Sequence, residues 1–176
     1  MRTIFSEKAS KILRNKKDIE DTIEVKMSIR GKDITLDGTP ENEYLAEKVI
    51  DAISFGFPIS VALLIKQEDF LFEIINIKDY TPRKDFETIR ARIIGRGGKT
   101  LKTLSDLTEC NFEINDNDVG IIGSPELIEN AQKAVISIIQ GSKQSNVYSF
   151  LEKHHIKPVF DLGLKEKKRK YKKSKE

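Results

Sequence analysis

Residues Ile93 to Leu104 read IIGRGGKTLKTL, placing Gly95, Gly97 and Gly98 among the basic residues Arg96, Lys99 and Lys102. A glycine inside a helix costs about 1 kcal/mol relative to alanine, so three within four positions break whatever helix surrounds them. A glycine turn that opens a helix offers backbone N–H donors and the positive end of the helix dipole. With no side chain in the way, a phosphate can come within hydrogen-bonding distance. Arg96 and Lys99 add a longer-range, salt-sensitive attraction. Two mononucleotide patterns fail. A dinucleotide fingerprint needs G-x-G-x-x-G after a strand, whereas here a helix comes first. A P-loop needs a glycine where this chain has Ile93.

The charge distribution points to a local polyanion site. The 176 residues carry a net +3, but positions 165–176 (KEKKRKYKKSKE) hold eight Lys/Arg against two Glu, so the rest of the chain is slightly acidic. One basic cluster surrounds the glycines: Arg83, Lys84, Arg90, Arg92, Arg96, Lys99 and Lys102, against only Asp85 and Glu87. The other is the tail, which is either a solubilising end or a nucleic-acid contact. No run approaches the roughly 18 apolar residues of a membrane span. The beginning, MRTIFSEKAS, lacks a signal-peptide apolar core. One cysteine, Cys110, fits a reducing compartment. These features predict a soluble, intracellular protein with no membrane partner.

An internal repeat organises the elements that hold the turn. Ile34–Gly56 and Val119–Gly141 align without a gap at an offset of 85 residues, matching Gly38-x-Pro40-Glu41 to Gly123-x-Pro125-Glu126. Thr39 and Ser124 are expected N-caps, Pro40 and Pro125 first helical residues, and Glu41 and Glu126 dipole partners. In the second copy, FLFEIINIK (Phe70–Lys78) reads as a strand. Phe86, Ile89 and Ile93 mark a helix, and Leu101, Leu104 and Leu107 another. NFEIN and VGIIG form a hairpin before the capped helix. The first copy shows a hairpin in IEVKMSIRGKDITLDG and a shorter helical stretch upstream, and FPISVALLIKQ connects the copies.

Gly95 to Gly98 between two helices, the strand–helix–helix–strand–strand–helix order, and the segments GRGGKTLKTLSDLT, VGIIGSPELIENAQKAV and NVYSFLE resemble a known family. It is the double K-homology (KH) ribosome-assembly family of the Dim-two, or partner-of-Nob, type, and the archaeal members are the more similar. KH loops clamp single-stranded backbone. The resemblance implies an α+β fold of two tandem type I KH-like modules, each a three-stranded antiparallel sheet packed against helices. It implies binding near the 3′ end of small-subunit rRNA, cooperation with the endonuclease that trims it, and association with the α subunit of translation initiation factor two. The compartment implied is the cytoplasm for an archaeal-type protein, and the nucleus or nucleolus for a eukaryotic one.

The expected organisation is 1–57 a degenerate module without G-x-x-G, 58–67 a connecting helix, 68–150 the module with G-x-x-G, and 151–176 a basic tail. No glycine precedes Gly31, so the first module packs or meets protein, and Arg14, Lys16 and Lys17 read as solvated. The expected RNA-binding set is Arg90, Ile94, Gly95, Arg96, Gly97, Gly98, Lys99 and Lys102, with Arg90 and Ile94 sharing a groove wall. Asn111, Glu113 and Asn115 alternate with Phe112 and Ile114 and either reach base edges or face solvent. Phe70, Phe72 and Tyr80 are expected in the core. His154 and His155 form no zinc pattern, and the NDND stretch has ordinary turn chemistry. No nucleophile–base pair, metal site or cofactor is expected, and a non-catalytic protein follows. The alternative is a general single-stranded RNA or DNA regulator of translation or transcription.

Overall fold

The computed structural model describes residues 1–154; His155 and the basic run 165–176 lie outside the described residues. The chain runs β1 (Arg2–Phe5), α1 (Ala9–Arg14), α2 (Lys16–Ile23), β2 (Lys26–Arg30), β3 (Asp33–Asp37) and α3 (Pro40–Phe55). Two short helices follow, α4 (Ile59–Ala62) and α5 (Leu64–Gln67). Then come β4 (Leu71–Asn76), α6 (Phe86–Ile94), α7 (Lys99–Thr108), β5 (Asn111–Asn115), β6 (Asp118–Gly123), α8 (Pro125–Ile139) and α9 (Gln144–His154). The result is an α+β fold with two three-stranded antiparallel sheets, ordered β1-β3-β2 and β4-β6-β5.

The repeat seen in sequence is a structural repeat. β2 and β5, β3 and β6, and α3 and α8 begin 85 residues apart. Even the strained helix ends agree: Glu24 closes α2 at φ 60° and Glu109 closes α7 at φ 54°. The helix starts differ in one detail. Thr39 Oγ1 accepts from Asn42 N at 3.3 Å, as its cap position predicts. Ser124 has the same extended cap backbone, yet its hydroxyl makes no cap bond and is buried without a partner among the described residues. Pro125 and the Ser124 carbonyl, which accepts from Leu127 N and Ile128 N, start α8 without the serine side chain.

Upstream of this shared core the copies diverge. α1 and α2 meet at Asn15, with φ −104° and no glycine. From α1, Lys11 Nζ donates to the carbonyls of Ile53, Gly56 and Phe57 at 3.3 to 3.4 Å, a cation placed on the negative end of α3. The connection expected as one helix over 58–67 is two short helices meeting at Leu63, and Ala62, Leu63 and Ile65 turn inward. The helix α9 continues across 150 to His154 and buries Leu151.

The two sheets differ in how many faces they bury. Along β3, buried Ile34 and Leu36 alternate with more exposed residues, the pattern of a sheet with one covered face. In β6, every residue from Val119 to Gly123 is buried. Val119 and Ile121 join α6, α7 and α8 in one core, while Ile122 belongs to the core of the first unit. Phe55 and Phe57, at the end of α3 and just beyond, meet Phe72 of β4 edge-on at ring separations of 5.9 and 5.8 Å. Edge contacts of this kind add to the area that the rings bury. Gly120 lies beneath them, and a Cβ there would come within 2.7 Å of the Phe55 ring and 2.9 Å of Phe57. Gly120→Val is therefore expected to lower stability by about 1–3 kcal/mol, through overpacking rather than backbone strain. Urea unfolding of the variant beside the parent checks this.

Candidate nucleic-acid interface

Ile89 and Ile93, four residues apart on α6, are buried against Leu104 of α7, which anchors both helices. Between the two helices the chain reverses in four residues, Gly95 to Gly98. Gly95 ends α6 at φ 75° and ψ 173°, its N–H donating to Ala91 O at 2.8 Å. Arg96–Gly98 form a short 3-10 turn in which Gly97 and Gly98 stand at φ 61° and 77°, and Gly98 N donates to Gly95 O at 3.2 Å. Gly97 and Gly98 thus lie in the left-handed region, which costs other L-residues about 1–2 kcal/mol each, and Gly95 combines positive φ with an extended ψ that glycine almost alone adopts.

The glycines have different reasons for being glycine. A Cβ on Gly95 would overlap the Thr100 hydroxyl and come within 2.7 Å of Thr100 Cβ and N. Around Gly97 and Gly98 a Cβ would meet nothing within 4 Å. The first is therefore closed by packing, and the other two leave open backbone beside the start of α7, where the Lys99 N–H, like that of Gly98, already donates within the turn, to Arg96 O. Arg96, Lys99 and Lys102 are exposed around this opening.

The remaining expected site residues divide. Ile94 stands 38% exposed on α6, one turn from Arg90. Arg90 is half-buried and donates from its guanidinium to Asp116 O in the β5–β6 turn at 3.0 Å, which orients it beside Ile94. Arg92 turns away from the opening and donates to Ser142 O at 2.7 Å. Glu113 and Asn115 take neither of the roles open to them in sequence. Asn115 Nδ2 donates to Phe55 O at 3.0 Å, and Glu113 lies against Gly56, so this strand face meets the first unit. Phe70 and Phe72 pack on the first core, whereas Tyr80 is 39% exposed at the end of a 3-10 turn, outside the expected core.

One residue of the site has no sequence signal. Gln144, at the start of α9, donates from Nε2 to Thr100 Oγ1 at 2.9 Å and to Arg92 O at 3.1 Å. It thereby ties the last residues of α6 to the first of α7, behind the glycines. Thr100 is buried, so its hydroxyl depends on this amide for a donor. A lone glutamine 44 positions further along the chain belongs to no motif, and only the packing of α9 on α7 and α8 brings it there.

Cys110 is buried against Gly123, and burial pushes its thiol up to about 11, so it stays protonated at neutral pH. His154 stacks on Phe150 and bonds its carbonyl, and among the described residues no group of three His, Cys, Asp or Glu is placed to hold a metal. No helix among the described residues is long and apolar enough to cross a membrane.

An exposed glycine turn between two helices, joined to a β4-β6-β5 sheet and backed by α8, defines a type I KH domain. Comparison with known proteins agrees: residues 71–156 match the family model for the second PNO1 domain, described as a eukaryotic type KH-domain (KH-domain type I). A KH domain-containing protein of Methanocaldococcus jannaschii is 30% identical over 149 residues, 81% of this chain and 66% of its own length. The RNA-binding protein pno1 of Drosophila melanogaster is 29% identical over 137 residues, 73% of this chain and 57% of that protein. The match thus spans about three fifths of the length of these curated relatives. Among solved structures, Dim2p of Pyrococcus horikoshii OT3 shares 27% identity at a TM-score of 0.77, over 86% of this chain and 98% of that one. A complex of the same organism, a/eIF2alpha–aDim2p–rRNA, matches at 26% identity and a TM-score of 0.78, over 88% and 93%. The chain belongs to the family of KH-domain proteins that contains PNO1 and Dim2p.

Gln144→Ala is expected to remove about 1–3 kcal/mol by leaving the Thr100 hydroxyl buried without its donor. Amide exchange at 95–100 should accelerate more than in the β4-β6-β5 sheet, which mass spectrometry of the intact chain would show.

Proposed function

We propose that the protein is a non-catalytic, RNA-binding factor in small ribosomal subunit assembly and rRNA 3′-end processing, whose Gly95–Gly98 turn clamps single-stranded rRNA backbone. The observation that carries this reading is the open backbone at Gly97 and Gly98, framed by exposed Arg96, Lys99 and Lys102. A phosphate there meets amide donors, the helix dipole and three cations together. Arg90 and Ile94 would line the path of the bases. Relatives supply the cellular context: a Coccidioides immitis relative is named a pre-rRNA-processing protein, and the Pyrococcus complex contains rRNA and a/eIF2alpha. rRNA near its 3′ end, the trimming endonuclease and the α subunit of initiation factor two are accordingly the proposed partners, met in the cytoplasm if the protein is archaeal in type.

The organisation proposed is two tandem KH-like modules, 1–57 and 68–150, joined by 58–67 and followed by 151–176. Matching strand orders and the constant offset support the duplication. The first module has α1 where the second has its glycine turn, and Lys11 there is committed to the end of α3. That module is read as a packing and protein-contact unit rather than a second clamp.

The test is fluorescence anisotropy with an oligonucleotide matching the 3′ end of the organism's own small-subunit rRNA, beside a scrambled strand. Arg96→Asp with Lys99→Glu retains all three glycines and is expected to weaken binding roughly tenfold or more and to flatten its salt dependence. Equal binding of both strands, unaffected by the reversal, would refute the clamp. Selective binding without co-sedimentation with small-subunit precursors would favour a general single-strand regulator instead.

A further inference from the structure

β4 is an edge strand of its sheet, and among the described residues its outer side pairs with nothing. Edge strands present unpaired N–H and C=O groups, and proteins blunt them with lysine, proline, bulges or covering elements. The neighbouring sheet follows that rule: its edges β1 and β2 carry Arg2, Lys26 and Arg30. β4, by sequence LFEIIN, has no cation and no proline, and exposes Leu71 by 42% and Ile74 by 51%.

Beside this edge runs a groove. One hollow of about 230 Å³ lies between α3 and the start of β4, and a second of about 400 Å³ lies between α3 and Ile74. They share Lys48 and Phe72, so they adjoin along the strand. The floor is apolar, with Phe55, Phe72 and Ile74. The walls carry Asp51, Asp69 and Glu73 against the single cation Lys48, which stands 5.5 Å from the ring centre of Tyr44. Burial pushes the Asp51 carboxyl above its ordinary range, so an incoming cation would relieve its lost hydration. The lining is net acidic, so it repels RNA and suits a positively charged polypeptide.

We propose that the free edge of β4 and the groove between it and α3 dock an extended, basic segment of a protein partner, which adds a fourth strand to the β4-β6-β5 sheet. Main-chain bonds to β4 would give affinity, and alternate apolar side chains would enter the two hollows. Lysine or arginine beside Asp51, Asp69 and Glu73 would supply specificity. This site involves none of the residues of the glycine turn.

The experiment uses the full chain with two fluorescein-labelled heptapeptides, KVTVKVK and its acidic counterpart EVTVEVE. The basic peptide is expected to bind at least about tenfold tighter than the acidic one and to slow amide exchange at 71–76. Ile74→Lys should weaken it about tenfold, whereas Ile74→Thr, which keeps strand propensity and adds no charge, should retain most of the affinity. Asp51→Asn with Glu73→Gln should narrow the gap between the peptides, and Arg96→Asp with Lys99→Glu should leave it unchanged. Because Ile74 is half exposed, an unaltered melting temperature for both Ile74 variants is the fold control. Equal binding of the two peptides, or indifference to Ile74→Lys, overturns the proposal. So does a concentration-dependent dimer that Ile74→Lys dissolves, since the occupant is then a second copy. Protection of 71–76 by the rRNA oligonucleotide overturns it as well.

Discussion

A three-stranded sheet can cover one face with its own helices, and its other face must then be polar or find a lid. β6 has no polar second face. Val119 and Ile121 fill the core under α6, α7 and α8, while Gly120 and Ile122 lie on the opposite side, where Phe55 and Phe57 rest on the backbone. Most other features follow from that burial. The link after α3 is short, Lys11 holds the end of α3 from the other side, and Asn115 of β5 donates back to the Phe55 carbonyl of α3 rather than outward. Water is excluded from both faces of one strand, so the second unit is finished only by contact with the first.

The glycine turn works on the same principle at smaller scale. Its inner side is closed by Thr100 against Gly95, and its outer side is left bare at Gly97 and Gly98. Rigidity and access would conflict if all three glycines served one purpose. They do not, because the half-buried Gln144 amide and the buried Thr100 hydroxyl set the conformation from behind while the solvent side stays free of side chains. A phosphate-binding backbone works best when its donors are fixed before the anion arrives.

What the sequence made legible has a common character: it is local. Alternation in Ile34 and Leu36, the three- and four-residue spacing of Ile89 and Ile93, the Thr39 cap and the three glycines each reveal themselves within a few residues. The repeat extended that reach, because one copy could be read against the other. What escaped was decided across the chain. Gln144 meets Thr100 from 44 positions away, and Asn115 meets the Phe55 carbonyl from 60. Residues on β5 were ambiguous because strand alternation assigns two faces without naming what covers the second. Ser124 shows the limit even of local rules: its backbone adopts the cap conformation while its hydroxyl bonds nothing among the described residues. Among the site residues, Arg96, Lys99 and Lys102 were legible through charge and spacing. The engagement of Arg90 with the Asp116 carbonyl required the hairpin to be in place.

The bare backbone at position 120 lets the Phe55 and Phe57 rings lie directly on β6. Separating the units would strip Phe55, Phe57, Phe72 and Ile122 of their neighbours and open both faces of β6 to water. An exposed apolar face of that kind invites aggregation rather than an independent half-molecule. The two units meet through buried apolar surface, so loosening one uncovers the other.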